Sequence, residues 1–337
     1  MMSGGIEMRK IEIDNEIRHF ADDYKVKVEE QIQNVTDKLQ KLATFVSENN
    51  HWTDRYAITN YIDMMIADYP NLLVLEPKDW QVYISKYSMV LGREPNMLIK
   101  EVNYRRKADG IFYKGKFYER ILECLGYEEA RLILGPIHQD MGLKTCVYCN
   151  VNPTLAVEGD VMYQMDHFMP QSKFPFLGTC FYNLQPSCGI CNGHKGKNIC
   201  DFGLYVNVEQ NKNLNPFRFV TKVNNMNGAF PVCEEILFKG NNKILTNESK
   251  AHEKMFHINN MYAGYKNKVS RLYSDAYKMN PAMISAFAAS YEIPATKKNV
   301  LAYMSEHLSL DEKDIHENSL TKLKQDTIKQ MEEGGAL

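Results

Sequence analysis

Two Cys-x-x-Cys pairs, Cys146-Val-Tyr-Cys149 and Cys188-Gly-Ile-Cys191, stand 38 residues apart in the middle of the chain. A Cys-x-x-Cys turn presents two sulfurs on one side of an ion, so two such turns close a tetrahedral Cys₄ shell of the kind Zn²⁺ prefers in structural sites. No ligand position is then left for a substrate. A redox dithiol is the usual rival for one such pair, but two copies around a compact segment point to zinc. Cys124, Cys180, Cys200 and Cys233 lack this spacing and fit buried free thiols.

Between the pairs, residues 161–167 mix β-branched, aromatic and polar side chains as a short strand does, and end on Asp166-His167. Successive strand residues face opposite ways, so bringing both side chains to one pocket calls for a bend there, with Pro170 soon ending regular pairing. A second strand is expected over residues 181–185. A helix follows from about Gly189, placing Asn192 in its first turn, at the positive end of the helix dipole.

This unit resembles the HNH endonucleases, whose fold is called ββα-metal. The resemblance rests on Cys146, Cys149, Asp166, His167, Pro170, Ser172, Asn183, Leu184, Cys188, Cys191, Asn192 and Lys195, in that order. More weakly, Phe256-His257-Ile258 running into Tyr262 and Lys266, and Leu320-Thr321-Lys322-Leu323, look like bacterial HNH proteins of anti-phage defence, including the nuclease subunit of Septu systems. One departure is Asn192 where many relatives carry His. His194 two residues later leaves open which of the two completes the inner site.

The resemblance implies hydrolysis of DNA phosphodiester bonds leaving a 5′-phosphate and a 3′-hydroxyl, with an ATPase partner controlling access. Asp166 and Asn192 offer hard oxygen ligands for Mg²⁺ or a similar cation. His167, with an ordinary pKa near ~6.5, suits a base that takes a proton from water. Asn183 is expected to brace the loop carrying His167, and Lys173, Lys195 and Lys197 to contact nucleic acid. The alternative is a non-catalytic zinc-ribbon subunit binding nucleic acid or protein, but a pure scaffold has no need of Asp166, His167 and Asn192 in register.

Net charge is −2, from 40 Lys and Arg against 42 Asp and Glu, so phosphate binding requires a local basic cluster. Residues 100–120 supply one: Lys100, Arg105, Arg106, Lys107, Lys114, Lys116 and Arg120 against Glu101, Asp109 and Glu119, interleaved with Tyr104, Phe112, Tyr113, Phe117 and Tyr118. That pattern suits backbone tracking and base stacking, centred on Arg105, Arg106 and Lys107. It equally suits a half-buried hairpin around Asp109-Gly110. Eight cysteines, half of them in metal-type pairs, suit a reducing compartment. With neither an apolar run of membrane length nor a signal-peptide pattern, the expected location is cytoplasmic.

The expected class is α+β, a mainly helical chain around a zinc-stabilised ββα core. Three units are expected: a helical domain over 1–140, the nuclease core over 141–205, and a connector with a helical C-terminal domain over 206–337. Val28, Ile32, Val35, Leu39, Leu42 and Val46 step by threes and fours along one side of a helix, serving either the core or a partner chain. Thr53 is a plausible N-cap for the next helix, and another is expected from Pro77 to Gly92. Helical runs over 117–124 and 128–134 are expected to lead through Gly135-Pro136 to the first cysteine pair. An Asn-rich connector follows Lys197, with strands near 230–238, a helical face over 250–277, and helices over 281–291, 294–308 and 319–331.

Overall fold

The computed structural model describes residues 9–48, 55–92, 96–105, 112–157, 159–207, 214–224, 231–242 and 245–337. The chain opens on β1 (Ile11–Glu12), then α1 (Asn15–Gln31), where Asp14 caps the helix by accepting from the Ile17 amide at 2.9 Å. The expected continuous helix under the 28–46 stripe is two helices. α1 stops at Gln31, Asn34 takes a left-handed backbone (φ 61°), and a separate helix, α2 (Val35–Glu48), begins after it. Val28, Ile32, Val35, Leu39 and Val46 are all buried, so the stripe belongs to the core and offers no docking face.

α3 (Arg55–Leu72) and α4 (Trp80–Leu91) pack on each other, with Tyr61 edge-on to Tyr87. The expected cap Thr53 lies outside the described residues. The basic window contains the antiparallel hairpin β2 (Glu101–Arg105) and β3 (Phe112–Lys116), followed by α5 (Phe117–Leu125) and α6 (Tyr127–Asp140). Gly126 joins these two helices in the left-handed region (φ 70°), where a Cβ would also meet Ile32 Cγ2 at 2.5 Å. The helical run continues through Gly135-Pro136 as a helix. α6 carries Pro136 inside it, and its Gly135 lies against the short hairpin β4 (Ala156–Val157) and β5 (Asp160–Val161), where a Cβ would sit 2.4 Å from Val161 Cγ2.

Next come β6 (Gln164–His167), β7 (Leu184–Ser187) and α7 (Gly189–Lys195). β6 and β7 are antiparallel, with Asp166 opposite Gln185 and His167 opposite Leu184. The second strand starts later than expected because residues 181–183 form a 3₁₀ turn. β8 (Tyr205–Val206) pairs in parallel with β1, tying the start of the chain to its centre.

β9 (Phe217–Asn224) and β10 (Val232–Gly240) form an antiparallel hairpin. Its buried face of Phe217, Phe219, Ile236 and Phe238 is covered by α8 (Thr246–Phe256), α9 (Ile258–Ala263), α10 (Lys266–Lys278) and, later, α13 (Thr321–Glu333). The single helical face expected over 250–277 is therefore broken into three helices. α11 (Pro281–Tyr291), capped by Asn280, and α12 (Lys297–Met304), capped by Thr296, lie between. The whole is mixed and mainly helical. One apolar cluster runs from Ile13 through the cysteine turns to Leu323, and a smaller one lies under the last helices.

Candidate functional site

Cys146, Cys149, Cys188 and Cys191 bring their sulfurs within 4.8 Å of one another, all four residues buried. A tetrahedral ion with Zn–S bonds of about 2.3 Å needs sulfurs roughly 3.8 Å apart, so the cluster could hold a metal such as zinc. Hydrogen bonds from Cys146, Cys149 and Cys191 pull the Cys188 thiol well below its ordinary range. The Asn152 amide and the Cys191 backbone N–H also donate to Cys188 Sγ, at 3.3 and 3.5 Å. Cys188 opens α7, so the cluster fixes the start of that helix against the first cysteine turn.

That first turn is held from three directions. Tyr148 stacks on Phe256 with ring centres 4.6 Å apart, and its carbonyl accepts from His252 Nε2 at 2.8 Å. Tyr262 Oη donates to the Cys149 carbonyl at 2.7 Å. Asn150, left-handed and fully buried, donates its amide to the Ile315 carbonyl at 2.7 Å, while its Oδ1 and carbonyl accept from the Lys322 and Leu320 amides. The two outlying segments with family-like residues, 256–262 and 320–323, thus meet at one turn.

Tyr148 also reaches inward. Its hydroxyl donates to Asp166 Oδ2 at 2.5 Å, and Lys195 Nζ lies 3.1 Å from both Asp166 oxygens and 2.7 Å from the His167 carbonyl. Burial pushes the Asp166 carboxyl upward, against the pull of Lys195 and Tyr148. Lys195 was expected at a phosphate; with its side chain 0% exposed, it is instead a buried clamp on the Asp166-His167 dipeptide.

His167 Nε2 faces the Gly178 carbonyl at 2.9 Å, which assigns the hydrogen to Nε2 and leaves Nδ1 as the basic nitrogen. Burial lowers its pKa to about 4, so the ring is neutral at physiological pH. The Tyr127 ring packs against it at 4.9 Å. Asn183 is fully buried; its Oδ1 accepts from the Met169 amide and its Nδ2 donates to the Met169 and Leu177 carbonyls, clasping the loop after His167.

Asp166, His167 and Asn192 line one cleft of about 520 Å³ together with Lys197, Gln171 and, from the helical side, Tyr118, Tyr127, Glu128 and Arg131. His194 does not line it; two residues further along α7, it leaves that face and packs against His257. Between the two alternatives, Asn192 is the one at the cleft. Lys197 and Lys173 are exposed; the first lines the cleft and the second, next to Ser172 which does, is not among its lining residues. Arg105 ends β2, and Arg106 and Lys107 lie outside the described residues. Sequence reasoning missed Tyr148, whose place inside a cysteine turn was its only signal, and Arg131, which carried none.

Over 57 residues, 17% of this chain, the sequence is 40% identical to the Septu protein PtuB of Bacillus thuringiensis. The match spans 21% of that protein's length. No protein-family model and no solved structure matches the chain.

Proposed function

We propose that the chain is a metal-dependent endonuclease with an HNH-type core that hydrolyses DNA phosphodiester bonds, and that it is the nuclease effector of a bacterial anti-phage defence complex. The observation that carries this reading is the meeting of Asp166, neutral His167 and Asn192 on one cleft. The local similarity to a Septu protein supports the defence role.

In this reading the four cysteines hold a structural Zn²⁺ with no position open to substrate. The oxygens of Asp166 and Asn192, both on the cleft, fit a hard divalent cation such as Mg²⁺, which when bound neutralises charge on the phosphate and acidifies a water. His167 accepts the proton of the attacking water at Nδ1, and the Gly178 carbonyl keeps Nε2 protonated and the ring fixed. Tyr148 and Lys195 set the orientation of the Asp166 carboxylate, and Asn183 holds the loop behind the imidazole. Lys197 takes a neighbouring phosphate from the exposed rim.

The rival reading, a zinc-stapled binding subunit that does not cut, draws on the Asp166 carboxylate being already paired with Lys195. Plasmid nicking with Mg²⁺ separates the two. Wild type is expected to nick, and His167→Ala to lose about 10²–10⁴-fold in rate with zinc content unchanged. Nicking by the variant at the wild-type rate sinks the assignment of the base, and a wild type that binds but never cuts leaves the binding subunit. An ATPase partner controlling access belongs to the same proposal. Since the 28–46 stripe is buried, the outer side of α11, with Met283 and Tyr291 exposed, is the place for it to dock.

A further inference from the structure

The cleft has two walls of different origin. One is the strand, strand and helix unit with Asp166, His167 and Asn192, and the other is the N-terminal helical segment, through Tyr118 of α5 and Tyr127, Glu128 and Arg131 of α6. α6 is seated where Gly135 presses on Val161 and Ala156, with no room for even a methyl group. One turn earlier on the same helix, Arg131 is brought over β5, where its Nη1 donates to the Val161 carbonyl at 3.3 Å. Its Nε stands 3.5 Å from Glu128, a carboxylate whose side chain is 76% exposed. Nη2 has no partner among the described residues. A planar guanidinium held at Nη1, with Nη2 unpartnered among the described residues and Nε facing only an exposed carboxylate, on a cleft that holds an acid, an imidazole and Lys197, is built for a phosphate oxygen.

We propose that Arg131 is a phosphate-binding residue of the cleft, taking a phosphodiester oxygen of the strand that is cut over Asp166 and His167. Glu128 is its placeholder partner, released when the phosphate arrives. The inference rests on the nuclease reading and adds to it that the helical segment completes the substrate site.

The test is fluorescence anisotropy of a labelled oligonucleotide on the full chain in a His167→Ala background with Mg²⁺ present, over 50–200 mM NaCl. Arg131→Met is expected to weaken binding about 10-fold at low salt and to reduce the slope of log affinity against log salt by about 1. Arg131→Lys, a point charge on a similar stem, restores most of the slope and only part of the affinity. Glu128→Gln, at an exposed position, tightens binding several-fold by freeing the guanidinium. Equal affinity and slope for Arg131→Met and its parent, with equal thermal melting, overturn the proposal, as does Glu128→Gln binding no tighter. If Arg131→Met melts early, Glu128→Gln alone decides. Failure of the nuclease reading looks different: the wild type never nicks plasmid, whether or not it binds oligonucleotide, and the inference falls with it. Normal nicking with an Arg131→Met variant indistinguishable from wild type removes only the role of Arg131.

Discussion

Lys195 shows how far a side chain's role depends on its surroundings. In the sequence it is a basic residue near other basic residues; in the fold it is wholly buried between Asp166 and the His167 carbonyl. Removing one member of a buried ion pair leaves the other uncompensated, so Lys195→Met is expected to destabilise the protein by about 3–5 kcal/mol in urea unfolding. Asp166→Asn with Lys195→Met should recover part of that loss. A single variant within 1 kcal/mol of wild type would sink the clamp. Asp166, His167, Asn183 and Asn192 were legible because their order and spacing survive as a string of letters. Tyr148 and Arg131 were not, because the one acts across 18 residues of chain and the other through the seating of a helix.

Among the elements, α7 is short and dependent on help, seven residues capped by Cys188. A helix of that length is not stable alone in water, and a metal held by the cysteine cluster would fix its start. Cys188→Ser should therefore lower soluble yield and zinc content together, measured by metal analysis of the purified protein; a folded variant with no change in zinc refutes it. Periodicity marked most helices correctly, and failed where one residue changes the path, as at Asn34. β9 went unseen because it lies between Asn-rich stretches of sequence that mask its alternation of Phe217, Phe219 and Thr221 with Arg218 and Lys222. α11 is uncharged along its whole length yet only Ala288 of it is buried. Size exclusion of the chain co-expressed with an ATPase partner should show a joint peak that Tyr291→Asp weakens; an unshifted nuclease ends the docking reading.

For the molecule as a whole, four histidines are kept neutral by burial. His138 is brought down to about 3, His167 and His252 to about 4, and His316 below its ordinary value. Each folded-state pKa lies below the unfolded 6.5, so the unfolded chain binds more protons and stability falls as pH drops through 6.5 toward the folded values. The first three together remove about 3 kcal/mol between pH 6.5 and 5.5, His316 acts in the same direction, and the melting temperature should fall steeply across that interval. A flat melting profile from pH 7 to 5 contradicts it. The Asn150 turn carries a different consequence, one of timing during synthesis. Its Oδ1 waits for the backbone of Lys322, 172 residues further on. At roughly 5–20 residues per second, the ribosome leaves the first cysteine turn without that cover for on the order of 10–30 s. The nascent chain thus passes through a period in which the thiols of the cluster exist before the segment that covers their first turn.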